Sequence, residues 1–137
     1  MANFIDILKV PHYGSDRNTS KEFFDTISAD YYIISANGRD DNPSLKTLKW
    51  MIEVRQNANK PRKFVFTNMT PNIKKLLKKF YKKEFNYECV FLEKEDNFLT
   101  INIRFLTIEL KIFMRVCISE VNDKIVLVIF SLSSLIR

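Results

Sequence analysis

Three observations make an α/β fold the expectation for this chain. β-rich apolar runs alternate with amphipathic segments through the first two-thirds of the sequence. The helical segments open on cap residues, and two of those caps are followed by proline. The last third reads as strand after strand. Strand alternating with helix, then antiparallel strands, is the pattern of a layered α/β architecture. At 137 residues, with 46% hydrophobic and 13% aromatic residues, the chain suits one domain with a substantial core.

Residues 4–10 mix apolar side chains with Asp6 and Lys9 and predict a strand entering a loop. Thr19 with Glu22 three residues on has the spacing of a capping box, opening a helix that buries Phe23, Phe24 and Ile27. Residues 31–35 are a near-continuous β-rich run, as in a strand covered on both faces. Asn42 then serves as an N-cap with Pro43 at the first helical position, where the missing N–H costs nothing. Leu45, Leu48, Met51 and Ile52 line the inner face of that helix. Residues 57–62 are a polar connection, and 63–67 form the next strand. Thr70-Pro71 repeats the cap-then-proline start. Ile73, Leu76, Leu77 and Phe80 continue it at i, i+3, i+4 and i+7, predicting a helix over 71–83. Strands follow at 87–92 and 98–103, joined by a polar turn at 93–97. Two further β-rich stretches, 106–118 and 125–132, are separated by Asn122-Asp123.

The net charge of +6 and a pI near 9.3 permit an acidic partner without naming one. Cys89 and Cys117 lack Cys-x-x-Cys spacing and read as buried thiols in a reducing compartment. No basic region followed by a long apolar run marks a secretion signal. The longest apolar run, 125–130, is well short of the roughly 20 residues that span a bilayer. A cytoplasmic location is the resulting expectation.

Chemistry is concentrated early. Leu8-Lys9-Val10-Pro11-His12-Tyr13-Gly14-Ser15 reads as a strand end running into a loop that carries the one histidine of the sequence. Histidine is a common metal ligand and proton carrier, and strand-end loops on a rigid sheet suit both roles. Asp16-Arg17-Asn18, Phe23-Phe24, the run from Ala29 to Gly38, and Asn42-Pro43-Ser44 follow in order, ending at Leu48. Both glycines of the chain, Gly14 and Gly38, fall in these loops.

In these blocks the chain resembles the C-terminal part of a metallo-β-lactamase-fold hydrolase, of the branch related to the competence protein ComEC. There a strand runs into His-His-Gly-Ser, a helix follows, and the next strand ends in a Ser-x-x-Gly loop before an His-Pro or Asn-Pro helix start. The match covers roughly residues 5–70. The resemblance implies the C-terminal half of an αββα sandwich. It also implies two segments: a partial metallo-β-lactamase-like domain over 1–103, and a β-rich tail over 104–137 that is either an added hairpin or foreign to the fold. The parent activity it implies is attack of metal-bound hydroxide on an ester or phosphoester, with zinc or another divalent metal as cofactor. The main ligands of that centre come from an His-x-His-x-Asp-His loop and a Gly-Asp loop, both in an N-terminal half lacking here. A dinuclear site needs several ligands converging on each ion. One histidine cannot supply them, so the expectation is a truncated remnant that is inactive alone and has no cofactor of its own.

His12 matches the first histidine of the family pair, and Tyr13 replaces the second. Either position is the family's ligand, so His12 is a remnant metal ligand or a loop histidine bonded to backbone. Ser15 is placed to brace the loop through its hydroxyl; a nucleophilic role would need His12 as its base. Asn42 stands where relatives carry a histidine near the substrate, and its capping role accounts for it fully. Asp40 and Asp41 read as solvated loop carboxylates. Lys74, Lys75, Lys78, Lys79, Lys82 and Lys83 share one outer helix face, which is either simply solvated or docks on nucleic acid or an anionic membrane. The rival readings are thus an interaction protein using that face and one half of a split hydrolase. A sheet left without its facing layer also implies self-association.

Overall fold

The computed structural model describes residues 3–54, 61–80, 82–92, 98–106, 111–121 and 124–132, with side chains for 4–54, 61–80 and 84–92. The expected turns at 93–97 and 122–123 lie outside the described residues. Two compact units are present, Met1–Phe91 and Leu92–Arg137.

The first unit is α/β. Its strands are β1 (Asn3–Lys9), β2 (Ile27–Ile34), β3 (Arg62–Phe66) and β4 (Tyr87–Phe91), and its helices α1 (Lys21–Thr26), α2 (Leu45–Glu53), α3 (Pro71–Lys79) and α4 (Lys82–Phe85). The strands form one sheet in the order β1-β2-β3-β4, every pair parallel. Right-handed crossovers that always step the same way leave their helices on one face. The core agrees: Phe24 of α1, Leu48, Met51 and Ile52 of α2, and Ile73 and Leu76 of α3 all pack into one cluster with Tyr32, Ile34, Phe64, Phe66 and Tyr87 of the sheet.

Register puts these sheet residues in rows. Tyr32 pairs with Phe64 and Ile34 with Phe66, while Phe66 pairs with Phe91. Ring centroids lie 6.2 Å apart for Phe24–Tyr32, 5.5 Å for Tyr32–Phe64 and 5.4 Å for Phe64–Tyr87. Each such contact adds about 0.5–1.5 kcal/mol beyond area burial. Ile33 and Val65, partners on the alternate positions, are buried as well, so β2 and β3 carry the two-sided apolar runs of a central parallel strand.

Arg62 is also buried, at 5% exposure. Its guanidinium donates to the carbonyls of Met51 and Val54 at the end of α2, where helix carbonyls lack partners and the dipole favours a cation. Burial draws its pKa below the ordinary guanidinium range, opposed by the Tyr32 phenol.

In the second unit β5 (Phe98–Leu106), β6 (Lys111–Val121) and β7 (Lys124–Leu132) form an antiparallel sheet in that order. The strand expected at 98–103 therefore pairs with the tail, Phe98 opposite Ser119 and Leu106 opposite Lys111. Its expected antiparallel neighbour at 87–92 instead becomes β4, a further parallel strand beside β3. The helices before it make it the end of one more β-α-β crossover.

Three local expectations are corrected. Thr19 is not the cap of α1; Ser20 is, its hydroxyl accepting from Phe23 N at 3.3 Å, because the Thr19 hydroxyl is committed to Ser15 O at 2.8 Å. Asn42 is not the cap of α2; Ser44 is, accepting from Thr47 N at 3.1 Å, with Pro43 outside the helix. The helix expected over 71–83 breaks at Phe80, which turns extended (φ −119°, ψ 108°). Phe80 packs edge-on against Phe85 at 5.7 Å and its carbonyl accepts from the Tyr87 hydroxyl at 2.8 Å, contacts that outweigh one more helical turn. Thr70 caps α3 ahead of Pro71 as expected. Among the described residues no helix is long and apolar enough to cross a membrane.

Candidate functional site

All four parallel strands end on one edge, and ligands of open α/β sheets bind outside the carboxyl ends of their strands. The loops after β1 and β2 meet there. Val10 N donates to Ile33 O at 2.8 Å, extending the ladder until the chain leaves the sheet at Pro11. His12, Tyr13 and Gly14 then take three consecutive left-handed conformations, with φ of 47°, 56° and 77°. For the two side-chain-bearing residues this costs about 1–2 kcal/mol each. The imidazole of His12 is exposed, and Tyr13 is 56% exposed.

Gly14 is required twice over. Beyond its φ, a Cβ there would stand 2.8 Å from Pro43 Cβ. That close approach lets Gly14 O accept from Ser44 N at 3.0 Å, joining the first loop to the start of α2. A hydroxyl chain reinforces the joint. Thr19 Oγ1 donates to Ser15 O, lies 3.4 Å from Thr47 Oγ1, and Thr47 Oγ1 accepts from Ser44 Oγ at 3.0 Å. Thr47 is wholly buried.

The second loop repeats the left-handed theme: Gly38, Asp40 and Asp41 have φ of 90°, 54° and 57°. Asn37 Oδ1 accepts from Arg39 N at 3.0 Å, and Asn42 N donates to Arg39 O at 3.1 Å. Asn72, in the first turn of α3, holds the loop from the far side. Its Nδ2 donates to Asp41 O at 2.8 Å and to Pro43 O at 3.2 Å.

The structure thus brings the His12 and Asn42 loops together at one sheet edge. Ser15 is buried at 8% exposure, and its Oγ accepts from Arg17 N at 3.3 Å, the bracing role expected of it. No hydrogen bond links Ser15 to His12 side chain to side chain among the described residues, so the geometry offers no serine–histidine pair. Thr47 and Asn72 are the residues the sequence reading missed. Ser44-x-x-Thr47 spacing was a usable signal for Thr47, whereas the partners of Asn72 lie 29 and 31 positions away and leave no local trace.

Asp40 and Asp41 are exposed, and among the described residues no three His, Cys, Asp or Glu side chains converge to hold an ion. Lys74, Lys75, Lys78 and Lys79 are exposed on α3, but Lys82 and Lys83 belong to the separate α4, so the six do not share one helix face.

Fold and loops together define a parallel α/β unit with two strained loops joined at its carboxyl edge. No family model, curated protein or solved structure matches this chain.

Proposed function

We propose that the Met1–Phe91 unit is the C-terminal, substrate-bordering half of a metallo-β-lactamase-type hydrolase, and that these 137 residues alone do not hydrolyse an ester or phosphoester. One observation carries the reading: the His12 loop and the Gly38–Asn42 loop, which follow different strands of the sheet, are locked together through Gly14, Pro43 and Ser44 at the carboxyl edge. Strain held in place by surrounding structure clusters where loops serve ligands, and both loops carry it. In this reading His12 stands beside the reacting group and Asn42 orients a substrate oxygen, which an amide can do without shuttling protons. The ligand-rich half comes from another polypeptide segment.

The test begins with equilibrium dialysis of the purified chain against zinc. No stoichiometric tight binding is expected, and a tight site that survives His12→Ala would overturn the missing-ligand argument. Reading frames flanking the coding sequence are then searched for His-x-His-x-Asp-His. Co-expression of such a segment is expected to restore zinc binding and phosphodiesterase activity; a stable complex that gains neither also defeats the proposal.

A further inference from the structure

The basic residues of this chain are more organised than its helix α3 alone suggests. α2 and α3 pack side by side over the sheet, and between them they carry Lys46, Lys49, Lys74, Lys75, Lys78 and Lys79 against the single carboxylate of Glu53. None of the six lysines is in an ion pair among the described residues. The two on α2 are not loose tethers. Lys46 Nζ lies 5.1 Å from the Trp50 ring centroid, and Lys49 Nζ lies 5.6 Å from that of Phe80, just past the end of α3. Cation–π contacts of this kind restrain the ammonium groups and fix where they stand. On α3, Lys74 and Lys78, and Lys75 and Lys79, are neighbours one turn apart, about 5–6 Å between Cβ atoms.

We propose that the adjoining outer faces of α2 and α3 form a docking surface for the phosphate backbone of a nucleic acid duplex. Several point charges on two rigid rods match a duplex, which presents one negative charge per roughly 1.7 Å of its axis. The face is poorly made for a membrane. Interfacial helices insert apolar side chains beside their lysines, whereas Leu48, Met51, Ile52, Ile73 and Leu76 are consumed by the core. It is equally poor for single strands, which stack their bases on free aromatic rings; Trp50 and Phe80 are already faced by lysines. Contacts to backbone phosphates alone make the binding independent of base sequence.

The test is fluorescence anisotropy of a labelled duplex of about 20 base pairs with the full chain across a salt series. Four phosphate contacts give a slope of log K against log salt near −4, from roughly −0.9 per contact. Lys75→Glu with Lys79→Glu is expected to weaken binding at least tenfold and flatten the slope by about 2. Lys46→Glu, on the other helix, is expected to weaken it too, and Lys9→Glu, on the edge strand β1, to leave it nearly unchanged. Thermal unfolding of each variant by circular dichroism verifies the fold, and any variant that melts differently is replaced by the lysine-to-glutamine change at the same site. Absence of salt-dependent duplex binding overturns the proposal. So does an equal loss from Lys9→Glu, which would mean net charge alone, or binding to phosphatidylserine vesicles in place of the duplex.

Discussion

Gly14 and Gly38 look interchangeable in sequence, and their surroundings separate them. Both are left-handed, but a Cβ on Gly14 would meet Pro43 at 2.8 Å, whereas one on Gly38 would rest 3.7 Å from Thr70, an ordinary contact. Gly14→Ala combines backbone strain with overpacking and is expected to destabilise the chain by about 2–4 kcal/mol. Gly38→Ala carries the backbone term alone, about 1–2 kcal/mol. Urea unfolding of the pair gives the comparison, and equal losses would mean that the Gly14–Pro43 joint is not tight. Tyr87 supplies a pH signature at the same scale. Burial, then the neighbouring Cys89, pushes its phenol up to about 12 from an ordinary 10.0. The folded chain therefore holds this proton more firmly than the unfolded one. Its contribution is complete below pH 10 and is lost as pH rises to about 12. Tyr87→Phe is expected to flatten that part of the pH–stability profile; an unaltered profile would place the alkaline loss elsewhere.

At the scale of elements, the helix starts show how a correct pattern points at the wrong residue. Asn42-Pro43 has the look of a cap and first turn, yet the chain uses Asn42 to close the Arg39 turn and starts α2 from Ser44. Ser44 wins because its N–H reaches Gly14 O while its hydroxyl serves Thr47, so the helix start and the loop joint are one structure. Ser44→Ala is expected to cost about 1 kcal/mol, the usual loss for a cap, whereas Asn42→Ala costs a few tenths. Urea midpoints in the reverse order would restore the sequence-based assignment. α3 fails to reach residue 83 for a comparable reason. Its apolar spacing continues through Phe80, but the pairing of Phe80 with Phe85 and Tyr87 is a tertiary event that no local periodicity encodes.

For the whole molecule, association is decided at sheet edges, and β1 lies at one edge of the parallel sheet. It pairs with β2 alone among the described residues, and Phe4 and Ile5 stand 55% and 38% exposed. Unpaired backbone beside apolar side chains invites a second strand. Sedimentation velocity is expected to show concentration-dependent association that Phe4→Lys with Ile5→Lys reduces, since edge lysines oppose strand pairing. A compact monomer at all concentrations would show that this edge is blunted without those charges.

The alternation of β-rich and amphipathic segments was enough to determine the α/β class, most elements of the first unit, and the two loops as places of interest. These follow from local preferences: apolar periodicity, proline after a cap, and glycine where φ turns positive. Tertiary structure alone decided the rest. It set which hydroxyl caps each helix, because competing partners such as Ser15 O and Gly14 O come from remote loops. It moved the 87–92 strand into the parallel sheet and grouped 98–103 with the tail, since strand pairing is a choice between partners that the sequence does not rank. It also set Thr47 and Asn72 to holding the two loops, and it spread the lysines over α2 and α3, through contacts that exist only once the helices lie side by side over one face of the sheet.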